Sequence, residues 1–141
     1  MSSRHLTLRL DDDIYSRLEA QRRRTGQSRS EVGRALLDEG LRMAAHPGIV
    51  FRSGPAGRRP GLVGGPDVWE VVRAYRQEER GSGDVVEQIA AACALSEDQV
   101  RTALRYYAEF TEEVDDWIAR VDEEAERAEA VWVREQEIIG R

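Results

Sequence analysis

From His5 to Leu10 the chain alternates, with Leu6, Leu8 and Leu10 on one side and His5, Thr7 and Arg9 on the other. That two-residue period predicts a half-buried β-strand. Asp11, Asp12 and Asp13 then suit the positive end of a helix, which Ile14, Tyr15 and Leu18 carry toward a C-terminal cap at Gly26. Ser28-Arg29-Ser30-Glu31 has the form of a capping box, and Val32, Gly33, Leu36, Leu37, Gly40 and Leu41 follow at helical spacing to about Met43. Residues 1–43 therefore predict strand, helix, helix.

Residues 44–66 hold all four prolines and six of the twelve glycines, too many for a long helix. Two interpretations stand: a linker, or a small β-hairpin in which Ile49-Val50-Phe51 and Leu62-Val63 flank the turn-rich SGPAGRRPG. Helices resume over residues 67–110. Asp67 caps the first, whose face is Val68, Val71, Val72 and Tyr75, and Asp84 opens the next after a Gly-Ser-Gly break. Ile89, Ala90, Leu95, Val100 and Leu104, with Ser96 as a further cap, fit a helix-turn-helix folded at Cys93-Ala94. From Glu112 to Ile139 a narrow apolar seam of Val114, Ile118, Val121, Ala125, Ala128 and Trp132 lies on an otherwise charged helix. The seam has no evident place to hide within one chain.

Net charge is −6, but it is unevenly spread. Residues 1–59 hold 12 Arg against 7 acids, residues 60–110 hold 5 against 9, and residues 111–141 hold 4 against 11. A basic head and an acidic tail suggest two unlike partners. No stretch approaches the roughly 20 apolar residues of a membrane span, and no apolar leader is present at the start, so a cytoplasmic protein is expected. One cysteine (Cys93) and two histidines (His5, His46) cannot furnish a structural zinc site. The three consecutive aspartates serve the helix dipole better than a metal, and no acid, base and nucleophile converge. No cofactor, metal or catalytic residue is expected, and the chain is not expected to be an enzyme.

A six-residue strand with one apolar face cannot cover that face alone. Paired antiparallel with a second copy, it closes Leu6, Leu8 and Leu10 over the helices and turns His5, Thr7 and Arg9 outward on a two-stranded ribbon. Such a ribbon fits the major groove, where Arg9 would reach guanine and Thr7 a base edge or thymine methyl. The open N–H groups at Ser28, Arg29 and Ser30 would take a phosphate.

LTLRLDDDIYSRLEA and TGQSRSEV together resemble the ribbon-helix-helix regulators of the MetJ, Arc and CopG kind. The resemblance implies a mainly α chain that forms an intertwined homodimer on double-stranded operator DNA. Its DNA-binding residues would be His5, Thr7, Arg9, Ser28, Arg29 and Ser30, and its dimer core Leu6, Leu8, Leu10, Ile14, Leu18, Val32 and Leu36. The chain departs from the family pattern at Gln21, Arg22 and Gly33, where apolar residues are usual. More weakly, HPGIVFRSGPAGRRPGLVGGPDVWEVV with LSEDQVRTALRYY is similar to a small domain of uncharacterised function found in bacterial antitoxins, implying a hairpin ahead of a helix-turn-helix bundle. Ribbon-helix-helix proteins with an added C-terminal region are often type II antitoxins. By that resemblance residues 111–141 would bind a PIN-like ribonuclease toxin, with Trp117, Val121 and Trp132 as contacts. Two alternatives stand beside it: a transcriptional or copy-number regulator without a toxin, whose C-terminal half builds a higher oligomer, and an adaptor that touches no DNA.

Overall fold

The computed structural model describes residues 2–78 and 83–140. Its elements are α1 (Asp12–Thr25), α2 (Arg29–Ala45), β1 (Ile49–Gly54), β2 (Gly57–Leu62), α3 (Val68–Gln77), α4 (Val85–Cys93), α5 (Glu97–Glu109) and α6 (Thr111–Ile139). The chain divides into two compact units, Met1–Ala44 and Ala45–Arg141.

In the first unit the helix ends form as their residues dictate. The Asp11 carboxylate accepts the Ile14 N–H at 2.8 Å, Asp12 and Asp13 lie in the first turn of α1, and Arg22, Arg23 and Arg24 lie in the last. Gly26 takes φ 71°, the left-handed conformation that a side chain would resist, and donates its N–H to the Arg22 carbonyl at 2.9 Å. At the start of α2, Ser28 and Glu31 cap each other: the Ser28 N–H donates to Glu31 at 2.8 Å and the Glu31 N–H donates to the Ser28 hydroxyl at 3.2 Å.

The strand expected over His5–Leu10 does not form within a single chain: residues 2–11 carry neither helix nor ladder. The reason is that a strand exists only through inter-strand hydrogen bonds, and no other described segment of the chain pairs with this one. Of the seven residues expected in the dimer core, Val32 alone is buried, at 2% exposure. Leu6 and Leu8 are 69% and 57% exposed, Leu10, Ile14 and Leu36 are also exposed, and Leu18 is half-buried.

The second unit settles the choice at residues 44–66 in favour of a hairpin. β1 and β2 pair antiparallel from Ile49↔Leu62 to Gly54↔Gly57, leaving Pro55-Ala56 as the loop. Gly57 at φ 112° makes that turn possible. The hairpin is bolted to α3 by the buried carboxylate of Asp67. Its Oδ1 accepts from Arg52 Nη1 at 2.8 Å and its Oδ2 from Arg59 Nε, while Arg52 also donates to the Gly65 and Leu62 carbonyls. Gly61 keeps the path open, since a Cβ there would collide with the Arg52 guanidinium. Asp67→Ala should therefore strand two half-buried guanidinium groups and unbolt the hairpin, lowering the stability of this unit by about 2–4 kcal/mol. Urea denaturation followed by circular dichroism measures the change, and a midpoint equal to wild type would show the bolt to be idle.

α3, α4 and α5 pack together, with β2 and α6 laid against them, around Ile49, Leu62, Val68, Val71, Val72, Ile89, Val100, Ala103 and Tyr106. The expected helix-turn-helix is present. α4 ends at Ala94 in the left-handed conformation (φ 55°), and Ser96 caps α5 by accepting the Gln99 N–H at 3.1 Å. Gly81 and Ser82 of the predicted break before α4 lie outside the described residues. Cys93 is half-buried at the end of α4, and that burial, aided by Glu70 and Glu78, pushes its thiol up from the ordinary value, as suits a packing residue.

The seam of α6 divides in two, which its even spacing conceals. Val114 and Ile118 are each 3% exposed against the bundle and Val121 is half-buried, so this part of the seam does find cover in its own chain. From Asp122 to Ile139 every residue is exposed. The boundary is marked by ion pairs from α3, Arg76 to Asp115 and Arg73 to Asp122, and the Tyr107 hydroxyl donates to Asp115 at 2.8 Å.

Candidate nucleic-acid interface

The first unit concentrates its outward chemistry at two places. One is the segment before α1, where His5, Thr7 and Arg9 are all exposed. The other is the opening of α2, where Ser28, Arg29 and Ser30 are exposed; the Ser28 N–H expected to be open is instead taken by the Glu31 carboxylate, because the two residues cap each other. The helix dipole and Arg29 favour an anion at that end, while the Glu31 carboxylate in the first turn opposes one.

Arg29 is not idle there. It pairs with Glu19 of α1 and its guanidinium lies 5.5 Å from the Tyr15 ring centroid. The hydrogen bond from Arg29 holds the Glu19 carboxyl below the usual carboxylate range, with Arg22 adding to the effect. Glu19 thereby fixes the direction of Arg29 and must share it with any phosphate. Sequence reasoning misses Glu19 because it stands ten positions from Arg29, outside any helical spacing; only the fold of α1 against α2 brings the two together.

The other residues expected to make contacts lie in the second unit. Trp117 is half-buried, its indole N–H is shut from solvent without an acceptor, and Arg120 covers its ring at 4.8 Å. Val121 is half-buried, whereas Trp132 is 59% exposed. On α5, the outward opening is Glu97-Asp98, and Arg101 lies 3.6 Å from Glu97. Carboxylates there would repel a phosphate backbone. Among the described residues no group of three or more His, Cys, Asp or Glu is placed to hold a metal ion, and no helix is long and apolar enough to cross a membrane.

The first unit is thus an exposed alternating segment without a strand partner among the described residues, followed by two helices. Residues 4–42 match the family described as "Ribbon-helix-helix protein, copG family", so the amino-terminal part of the chain is a ribbon-helix-helix module of the CopG type. The match spans under a third of the chain. No curated protein and no solved structure matches the chain significantly. The match supports a DNA-binding regulator.

Proposed function

We propose that this protein is the antitoxin of a type II toxin–antitoxin pair: it binds its own operator as a dimer through residues 1–43 and neutralises a PIN-like ribonuclease through its acidic C-terminal region, residues 111–141. The observation that carries the second half is the outer part of α6, an apolar stripe with acidic flanks that none of the described residues covers. A ribonuclease holds RNA in a positively charged groove, so an acidic helix with apolar anchors suits the same surface. The hairpin and α3–α5 would then link the two binding regions along the chain.

For the DNA half, His5, Thr7 and Arg9 would read base edges and Ser28, Arg29 and Ser30 would hold phosphate. Arg9→Ala should weaken operator binding by about 1–3 kcal/mol for each base pair it no longer reads. Wild-type affinity should also fall steeply as salt rises, because phosphate binding releases counterions. Gel-shift titration of the variant reports the first and its repetition across salt concentrations the second. Undiminished affinity in Arg9→Ala would take that side chain out of the groove. Co-purification with the product of the neighbouring reading frame, followed by a ribonuclease assay with and without the antitoxin, tests the toxin half.

A further inference from the structure

We infer that residues 122–139 of α6 are a preordered docking helix for a protein surface consisting of an apolar groove rimmed by arginine or lysine. This deepens the partner-binding role proposed above and rests on it for the partner's biological identity, though not for its chemistry.

The stripe is one feature with two fates. Val114 and Ile118 are buried on the bundle; Ala125, Ala128 and Trp132 continue at the same spacing and lie bare, Glu135 then takes the next place, and Ile139 resumes the stripe one turn further on. A run of 18 helical residues spans roughly 27 Å. Val131 (67% exposed) and Ile138 (69% exposed) widen the apolar area beside Trp132, more than scattered surface residues would provide. The helix is anchored at its root by the Arg73–Asp122 and Arg76–Asp115 pairs, so a partner meets it already formed and little ordering cost is added on binding.

Charge selects among the possible occupants. Residues 122–139 carry seven carboxylates against Arg127 and Arg134. A second copy of this stripe would bring Asp122, Glu124 and Glu129 against the same residues of its twin, a repulsive arrangement along a helix pair. Nucleic acid and anionic membranes are repelled for the same reason. A cation-rimmed groove satisfies both the flanks and the stripe, with Trp132 as the central anchor and Ala125 and Ala128 permitting close approach.

The test titrates the intact protein with three synthetic 18-residue amphipathic helices that share a leucine face and carry arginine, serine or glutamate on the rest. Tryptophan emission should shift to the blue with the arginine helix only. Trp132→Phe should abolish the shift, and Glu124→Gln with Glu129→Gln should weaken binding by about tenfold or more. No shift with the arginine helix, or an equal shift with the serine helix, overturns the proposal. So does a dimer-to-tetramer equilibrium without peptide that Trp132→Glu abolishes, because a second copy would then be the cover. The two proposals fail separately. Arginine-helix binding without any complex with the neighbouring reading frame's product leaves this surface standing and removes the ribonuclease. A ribonuclease complex unaffected by Trp132→Phe with both glutamine changes removes the surface and leaves the antitoxin.

Discussion

Leu8→Glu is expected to convert the protein from dimer to monomer and to eliminate operator binding. Leu8 lies midway between Leu6 and Leu10 and is 57% exposed in a single chain, and in the proposed ribbon its cover comes from a second copy. Burying a leucine contributes about 1.5–3 kcal/mol, and the substitution removes that contribution twice per dimer. It also places two carboxylates opposite each other under the ribbon, where an unpaired charge costs several kcal/mol more. The second unit should be unaffected, since its core is made from residues 49–118. Sedimentation velocity reads the mass and a gel shift reads the DNA. A Leu8→Glu protein that remained dimeric would mean that the three leucines do not face one another, and the ribbon would have to be abandoned.

The second large effect separates the two ends of α6. Ending the chain after Val121 should abolish partner binding while operator affinity and the melting temperature of the second unit stay near wild type, because Val114 and Ile118 remain in place. Removing all of residues 111–141 is a different experiment. It takes Val114 and Ile118 out of the core, at about 1–3 kcal/mol each, and weaker binding would then be confounded with damage to the bundle. Pull-down and thermal melts of the two truncations side by side decide the matter. If the shorter deletion retained full partner binding, the docking surface would have to lie on residues 111–121 or elsewhere in the bundle.

Much of the architecture was legible because it depends on local chemistry. Asp11, Gly26, the Ser28–Glu31 box, Asp84 and Ser96 each mark a helix end whose unsatisfied N–H or carbonyl groups need a nearby partner. Those requirements are met within four residues, so the sequence displays them. The hairpin was harder to read. Pro60 sits inside β2 opposite Phe51, and a proline mid-strand weakens the pattern, yet it is tolerated because each strand of a two-stranded hairpin is an edge. What seals the hairpin is the Arg52–Asp67–Arg59 bolt, assembled from residues 8 and 15 positions apart.

The segment expected to face DNA was marked by a feature just as local, alternation over six residues, and the structure leaves it exposed and unpaired in the single chain. The Glu19–Arg29 pair was not, and neither was the division of α6. Val114 and Trp132 look equivalent along the seam, and only the ends of α3 and α5 determine that one is enclosed and the other is not. Periodicity identifies the side of a helix that seeks cover. It does not say where along its length the cover stops.

The pair of clasps from Arg73 and Arg76 separates the packed base of α6 from its outer arm. Substitutions beyond Asp122 touch no packed neighbour among the described residues, so this arm is free to accumulate changes at almost no cost to the folded state. Specificity of the proposed docking surface can thus drift quickly over generations, while the amino-terminal ribbon-helix-helix module stays under its own separate constraints.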